Sequence, residues 1–347
     1  MKKRFISLIL LLSILTSSLA ISSCAKKKEK YTSHSFDYFD TVTAITGYAK
    51  SKEAFDKISN RILEELEEYH RLYTIYEHYE GVNNLYAINK AHERLKVDQK
   101  IIDMLLFSKE LYVKTNGKVN VAMGSVLSIW HDYRSRGIKD PASASLPPTE
   151  LLQSAAEHTD INDLIINDDD NTILLADPEM SLDVGAIAKG YAVEQIAQGL
   201  IADGIEGYVI NVGGNVRTVG KRGDGSKWAV GIEDPDGSED APYFSTLSIS
   251  DMSLVTSGSY QRFYIVNGKN YNHIIDPDTL MPSDRFISVS IICESSALAD
   301  ALSTSLFSMS IEDGKEVLSQ FENVHAMWVT TERKIEYSSG FNQFISN

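Results

Sequence analysis

Apolar residues at helical spacing mark the first element the chain predicts. Between 52 and 71, Phe55, Ile58, Ile62, Leu63, Leu66 and Tyr69 share one face, with Glu and Lys between them. A second amphipathic helix is expected from Asp98 to Thr115, where Asn116-Gly117 supplies a stop, and a short one from Leu151 to His158. Helical periodicity returns after Gly185, runs to Ala202 and ends at Gly204, and two more helices are expected near 296–309 and 312–321. Runs of β-branched and aromatic residues predict the strands. Ser35 to Gly47 reads as an opening strand or hairpin arm, 163–166 and 172–175 as short strands, 286–292 as a strand, and His325 to Tyr337 as a terminal hairpin. Four or five strands are expected between Tyr208 and Ile275, separated by turns such as Gly223-Asp-Gly225 and Pro235-Asp-Gly237. Helices and strands are mixed without strict strand–helix–strand alternation, so the expected class is α+β, with mixed sheets and packed helices.

The N-terminus departs from this pattern. Lys2, Lys3 and Arg4 precede an apolar run from Phe5 to about Ile21, and Ile21-Ser-Ser leads to Cys24. A charged start, a short apolar stretch and small residues before a cysteine predict a lipoprotein export signal over residues 1–23, with Cys24 as the lipidated first residue of the mature chain. A cut elsewhere, with Cys24 incidental, is the alternative. Residues 24–35, rich in lysine, are expected to be a flexible tether, and 36–347 the folded domain. The protein is then exported and lipid-anchored to the outer face of a bacterial membrane. Without the three signal-peptide cations the formal net charge moves from −15 to −18, which excludes nucleic acid as a natural partner because a polyanion is repelled. Cys293, in the apolar run Ile287-Ser-Val-Ser-Ile-Ile-Cys293, is expected to be a small buried hydrophobe without a disulfide partner.

Candidate chemistry gathers in five segments of the second half: Ser181-Leu-Asp-Val-Gly-Ala-Ile-Ala-Lys-Gly190, Asn211-Val-Gly-Gly-Asn215, Thr256-Ser-Gly-Ser-Tyr-Gln-Arg-Phe263, His273-Ile-Ile-Asp-Pro277 and Ala299-Asp-Ala-Leu-Ser-Thr304. Small residues, amides and hydroxyls recur where strands should turn into helices, and such corners present backbone N–H groups to an anion. Asp300, Ser303 and Thr304 stand at i, i+3 and i+4 and share a helix face; a carboxylate with hydroxyls is a donor set that suits Mg2+. Read alone, the same three residues more often serve otherwise, Asp300 as a cap or salt-bridge partner and Ser303 and Thr304 as a face packed on a strand. Asp183 and Lys189 flank an expected strand-to-helix corner, where a phosphate is favoured and Lys189 adds a point charge. His273, expected inside an apolar strand, is an imidazole able to take a proton near neutral pH, or simply a satisfied structural histidine. Asp276 either orients its loop or contacts a metal-bound phosphate.

Together and in this order the segments resemble the ApbE family of flavin transferases, the FAD:protein FMN transferases, over roughly residues 36 to 340. The resemblance implies that Asp300, Ser303 and Thr304 hold Mg2+ with the backbone carbonyl of Ala186, that Asp183, Lys189 and Ile275 contact FAD, and that His273 is the general base. More loosely, Thr41 and Tyr76 fall where the family holds the isoalloxazine and adenine, and Ala122-Met123-Gly124 where it has another flavin contact. One position departs: Leu280 stands in Pro277-Asp-Thr-Leu-Met-Pro282 where the family pattern has glycine, so a turn needing positive φ would be strained beside His273. The implied reaction moves FMN from FAD to a threonine hydroxyl of an acceptor protein and releases AMP. Acceptors outside the cytoplasm would be flavin-bearing subunits of redox pumps or of extracellular electron-transfer systems. The rivals are an FAD pyrophosphatase using the same metal site and a flavin-binding lipoprotein without chemistry.

Overall fold

The computed structural model describes residues 27–346; the expected export signal and Cys24 lie outside them. In chain order the elements are strands β1 (Glu29–Ser35) and β2 (Thr43–Ala49), helices α1 (Lys52–Tyr73) and α2 (Leu85–Lys90), strand β3 (Leu95–Lys96), helices α3 (Gln99–Lys114), α4 (Gly124–Lys139) and α5 (Thr149–Ala156), and strands β4 (Leu164–Asn167) and β5 (Thr172–Leu175). Then come α6 (Ala188–Ala202), strands β6 (Tyr208–Val212), β7 (Asn215–Val219), β8 (Trp228–Ser238), β9 (Ala241–Ile249), β10 (Ser253–Gly258), β11 (Phe263–Val266), β12 (Lys269–Asn272) and β13 (Phe286–Cys293), helices α7 (Ser296–Phe307) and α8 (Ile311–Leu318), and strands β14 (His325–Thr330) and β15 (Ile335–Tyr337). The class is α+β, as expected.

One eight-stranded sheet, ordered β1-β2-β6-β7-β10-β13-β14-β15, organises the molecule, and each neighbouring pair in it is antiparallel. Period-two alternation sends successive side chains to opposite faces. Val255 and Ile291, paired across β10 and β13, enter the core under α7 and α8, whereas their neighbours Leu254 and Ile292 enter the core under the β8–β9 hairpin. Buried on both faces, β13 therefore reads as an unbroken apolar run, and Cys293 within it is buried and free. The largest core joins α1, α3 and α6 to β2 and β6. A smaller cluster, with Trp130, Leu152, Tyr264 and Ile275, holds α4 and α5 against β11.

Several expectations need correction. Residues 29–35, read as tether, form β1, which pairs with β2 from Glu29↔Ala49 to Ser35↔Thr43: the alternation in Tyr31-Thr-Ser finds a partner strand that lysine content hid. The region between Tyr208 and Ile275 holds seven strands, β6 to β12, rather than four or five. Pro235-Asp-Gly237 is absorbed in β8, whose register shifts between Glu233 and Ser238, and the chain reverses at Glu239-Asp240. Helix α4 was not anticipated at all. His273 sits in a bend just after β12, not within an apolar strand.

Candidate active site

Most helices of the protein begin with a side chain that caps the first turn: Ser51 on α1, Asn84 on α2, Asp98 on α3, Ser295 on α7 and Ser310 on α8. Helices α4, α5 and α6 do not, α5 following Pro148. The first positions of α4 and α6 follow Met123 and Ile187, whose side chains cannot accept from an N–H, and both residues line one cavity of 820 Å3. At these starts the Gly124 N–H already donates to Ser181 O and the Gly190 N–H to Asp300 Oδ2, so what favours an anionic ligand there is the positive end of each helix dipole.

The opposite walls come from turns. Gly213 and Gly214 close the β6–β7 hairpin with φ of 59° and 88°, and Asn211 Oδ1 accepts from Gly214 N–H at 2.9 Å. Positive φ at both central residues is the hairpin geometry that matches strand twist. A Cβ on Gly213 would stand 2.3 Å from Thr41 Oγ1, so only glycine lets Thr41 reach the cavity wall. At the start of α6, Asp183 Oδ1 accepts from Gly185 N–H at 2.8 Å and the Asp183 N–H donates to Val121 O at 2.8 Å, while Lys189 Nζ donates to Gly185 O at 3.3 Å. The extended stretch before α6 belongs to no strand, unlike the expected corner.

His273 has the geometry of a base. Its Nδ1 lies 3.2 Å from Arg262 O; a carbonyl can only accept, so Nδ1 carries the proton and Nε2 keeps its lone pair. Burial lowers its pKa first, then the cations Arg134, Arg262 and Lys189, to about 3. The following loop is fixed by three contacts. Lys118 Nζ donates to Asp276 Oδ1 at 2.5 Å, both largely buried, Leu280 N–H donates to Asp276 O at 2.8 Å, and Trp130 Nε1 donates to Leu280 O at 2.9 Å. Leu280 does adopt positive φ, 59°, and packs into the Trp130 cluster: the turn keeps the shape glycine would give it, held by these contacts. Asp276 thus orients the loop through Lys118.

Of the residues singled out from sequence, Thr41, Tyr76, Met123, Asp183, Ala186, Lys189, His273, Ile275 and Thr304 line the cavity. Ala122 is fully buried, and Gly124 N–H instead meets Ser181 O at 3.0 Å. Asp300 is 4% exposed beneath the wall, its Oδ2 accepting Gly190 N–H at 2.7 Å. Burial raises its pKa while Lys189, Gly190 and Asn215 draw it down. Ser303 Oγ is turned to Ser257 Oγ at 2.8 Å and to Asp300 O at 3.0 Å, away from the cavity, whereas Thr304 Oγ1 lies 3.2 Å from Ser257 Oγ on the wall itself. Among the described residues no three His, Cys, Asp or Glu side chains gather as a metal cluster. A cation would be held by oxygens of mixed type, and the buried Asp300 carboxylate, the Thr304 hydroxyl and the Ala186 carbonyl form a hard donor set that fits Mg2+.

Sequence reasoning missed Arg134, Arg262 and His131. Leu127, His131 and Arg134 stand at i, i+4 and i+7 on α4 and share the face turned to the cavity, a stripe legible only once α4 is known. Arg262 lay within the third quoted segment; its Nη2 donates to Asp40 O at 3.0 Å across the cavity mouth. His131 Nδ1 lies 3.1 Å from Tyr76 Oη, and its Nε2 3.9 Å from Asp183 Oδ2. Burial lowers its pKa, while Asp183 pulls the other way.

A profile of the ApbE family matches residues 39–328. The FAD:protein FMN transferase of Treponema pallidum (strain Nichols) is 33% identical over 254 residues, 69% of this chain and 67% of that protein. One from Klebsiella pneumoniae (strain 342) is 28% identical over 288 residues, 82% of this chain and 85% of that one. Among solved structures, the ApbE protein of Thermotoga maritima has a TM-score of 0.79 at 25% identity, covering 92% of this chain and 100% of its own. The flavin transferase ApbE of Vibrio cholerae has 0.74 at 26%, covering 91% and 99%. The matched span contains all five motif segments and every residue that lines the cavity, from Phe39 to Thr304, and the chain belongs to the ApbE family.

Proposed function

We propose that this protein transfers FMN from FAD to a threonine hydroxyl of an acceptor protein, with Mg2+ as cofactor and AMP as the other product. The observation that carries the reading is a neutral His273 with Nε2 free, set on a cavity that also holds Arg134, Arg262, Lys189 and two uncapped helix starts. The positive groups suit a pyrophosphate, and the volume lies within the range of cofactor pockets, about 300–1,000 Å3. Tyr76 at the mouth and the aliphatic Met123, Leu127 and Ile275 offer surfaces for flat rings.

His273 Nε2 accepts the proton of the incoming hydroxyl as its oxygen attacks the phosphorus of the FMN half. The P–O bond to the bridging oxygen breaks, and that oxygen leaves with AMP. Arg134, Arg262 and Lys189 hold the phosphates, and their charge is offset when the diphosphate enters, so that His273 becomes more basic as substrate binds. Asp300, Thr304 and the Ala186 carbonyl would hold Mg2+, which when bound stabilises negative charge on the leaving phosphate. The acceptor is a flavin-bearing subunit of a redox pump or of an extracellular electron-transfer system. The enzyme is anchored outside the cell membrane through lipid on Cys24.

The test is to incubate the protein with FAD, Mg2+ and a threonine-bearing acceptor, then to record acceptor mass and free AMP. One added FMN per acceptor, abolished in His273→Ala while FAD binding is retained, is expected. FMN and AMP with an unmodified acceptor would identify a pyrophosphatase, and intact FAD a binding protein.

A further inference from the structure

Beneath the wall that carries Thr304, buried polar side chains of α6, β7 and α7 make one chain of contacts that the transfer reaction leaves without a role. Glu194 on α6 accepts through Oε2 from both the Ser296 N–H, at 2.6 Å, and Arg217 Nε, at 3.2 Å. Ser296, in the first turn of α7, donates its hydroxyl to Asn215 Oδ1 at 2.5 Å. With the amide oxygen engaged by a hydroxyl, the amide nitrogen is fixed on the other side.

That nitrogen is the unusual atom. Asn215 is 1% exposed, and its Nδ2, near enough to Asp300 to draw that carboxyl's pKa down, completes no well-formed hydrogen bond among the described residues, although buried donors are nearly always paired. A Cβ built on Gly190 would stand 3.0 Å from Asn215 Nδ2 and 2.4 Å from Asp300 Cβ, so Gly190, Asn215 and Asp300 meet at one point. Asp300 Oδ2 there accepts the Gly190 N–H.

We propose that Asn215 is a positioning residue for Asp300: aimed by Ser296, its amide nitrogen holds the carboxylate so that one oxygen receives the protein's N–H donors and the other is left for the cation. This rests on the reading of Asp300 as a metal ligand. An amide is the group that fits, since it accepts from Ser296 through its oxygen while its nitrogen stands beside Asp300 with protons to donate. Aspartate would set a second carboxylate against Asp300, and leucine would fill the space with neither function. Glu194 completes the arrangement by tying the start of α7, one turn before Asp300, to the helix that supplies the Gly190 N–H.

The test titrates the full-length protein with Mn2+, with and without ADP as a pyrophosphate, and reads bound metal by electron paramagnetic resonance. Asn215→Leu and Ser296→Ala are compared with wild type and with Asp300→Ala, after a thermal unfolding check. Both variants are expected to weaken Mn2+ binding by about 10–100-fold, the usual effect of losing a group that orients a metal ligand, while FAD affinity without metal stays unchanged. Unchanged Mn2+ affinity in the folded variants overturns the inference; if Asn215→Leu does not fold, Ser296→Ala alone decides. Wild-type protein that binds no Mn2+, or Asp300→Ala that binds it normally, overturns the metal reading and the inference with it. Tight Mn2+ binding without transfer activity overturns the proposed reaction and leaves the role of Asn215 standing.

Discussion

His273 owes its lone pair to its neighbours, and this has a measurable consequence. Its pKa in the folded chain, about 3, lies below the ordinary 6.5, so between those values the unfolded chain binds a proton that the folded chain refuses. Stability contributed by this group is therefore complete above about pH 6.5 and declines as pH falls toward 3. NMR titration of the imidazole should show no protonation between pH 5 and 8 in the free protein. Replacing Arg134 by Gln, or adding ADP, should move the titration upward because each removes or offsets a facing cation. Lys118 and Asp276 form a different kind of pair, with side chains 11% and 8% exposed. Lys118→Met would strand a buried carboxylate, and urea unfolding should report a loss of about 3–5 kcal/mol. Asp278, the other partner of Lys118, is 73% exposed, and Asp278→Asn should cost less than about 1 kcal/mol.

At the scale of elements, the cavity depends on tight turns and open helix starts. Gly213 and Gly225 both have positive φ, 59° and 83°, but a Cβ on Gly213 meets Thr41 while one on Gly225 meets nothing within 4 Å. Gly225→Ala should cost about 1–2 kcal/mol from backbone conformation alone. Gly213→Ala should cost a further 1–3 kcal/mol or so from overpacking and should also weaken FAD binding, because Thr41 must shift. Comparing denaturation midpoints of the two variants, alongside FAD titration, checks both statements. The missing caps of α4 and α6 belong to the same scale: each helix forgoes a stabilising side chain where its positive end meets the cavity wall.

At the scale of the molecule, the long sheet is shielded by α1, α6, α7 and α8 on one face and by the β8–β9 hairpin on the other, so its ends are where it is vulnerable. Strand β1 covers the edge of β2 over seven paired residues, and Tyr31 packs on Phe55 of α1 at 5.7 Å. A chain beginning at residue 36 should therefore melt at a lower temperature and aggregate more readily than one beginning at residue 25, because the edge of β2 would be free to pair with another chain. Light scattering during a thermal ramp distinguishes the two.

Local chemistry was enough to place much of this protein from sequence. A six-residue apolar stripe fixed α1, helical periodicity with glycine stops fixed α3 and α6, and the sheet strands at the C-terminal end followed from their β-branched runs. The five motif segments carried the family and about half of the cavity lining, because glycine, histidine and carboxylate at fixed spacing are properties of the chain itself. What escaped was relational. Strand β1 is polar and becomes a strand only because β2 offers it a partner, and α4 mixes apolar and charged residues because one of its faces lines a cavity. The depressed basicity of His273 comes first from its burial and then from Arg134, Arg262 and Lys189, which three different segments bring to it, and the burial of Asp300 beside Asn215 and Gly190 joins three separate elements. Residue types and spacing determined the family, the class of fold and the candidate base. Packing alone decided which side chains share the cavity and in what charge state, because distance and dielectric exist only in the folded chain.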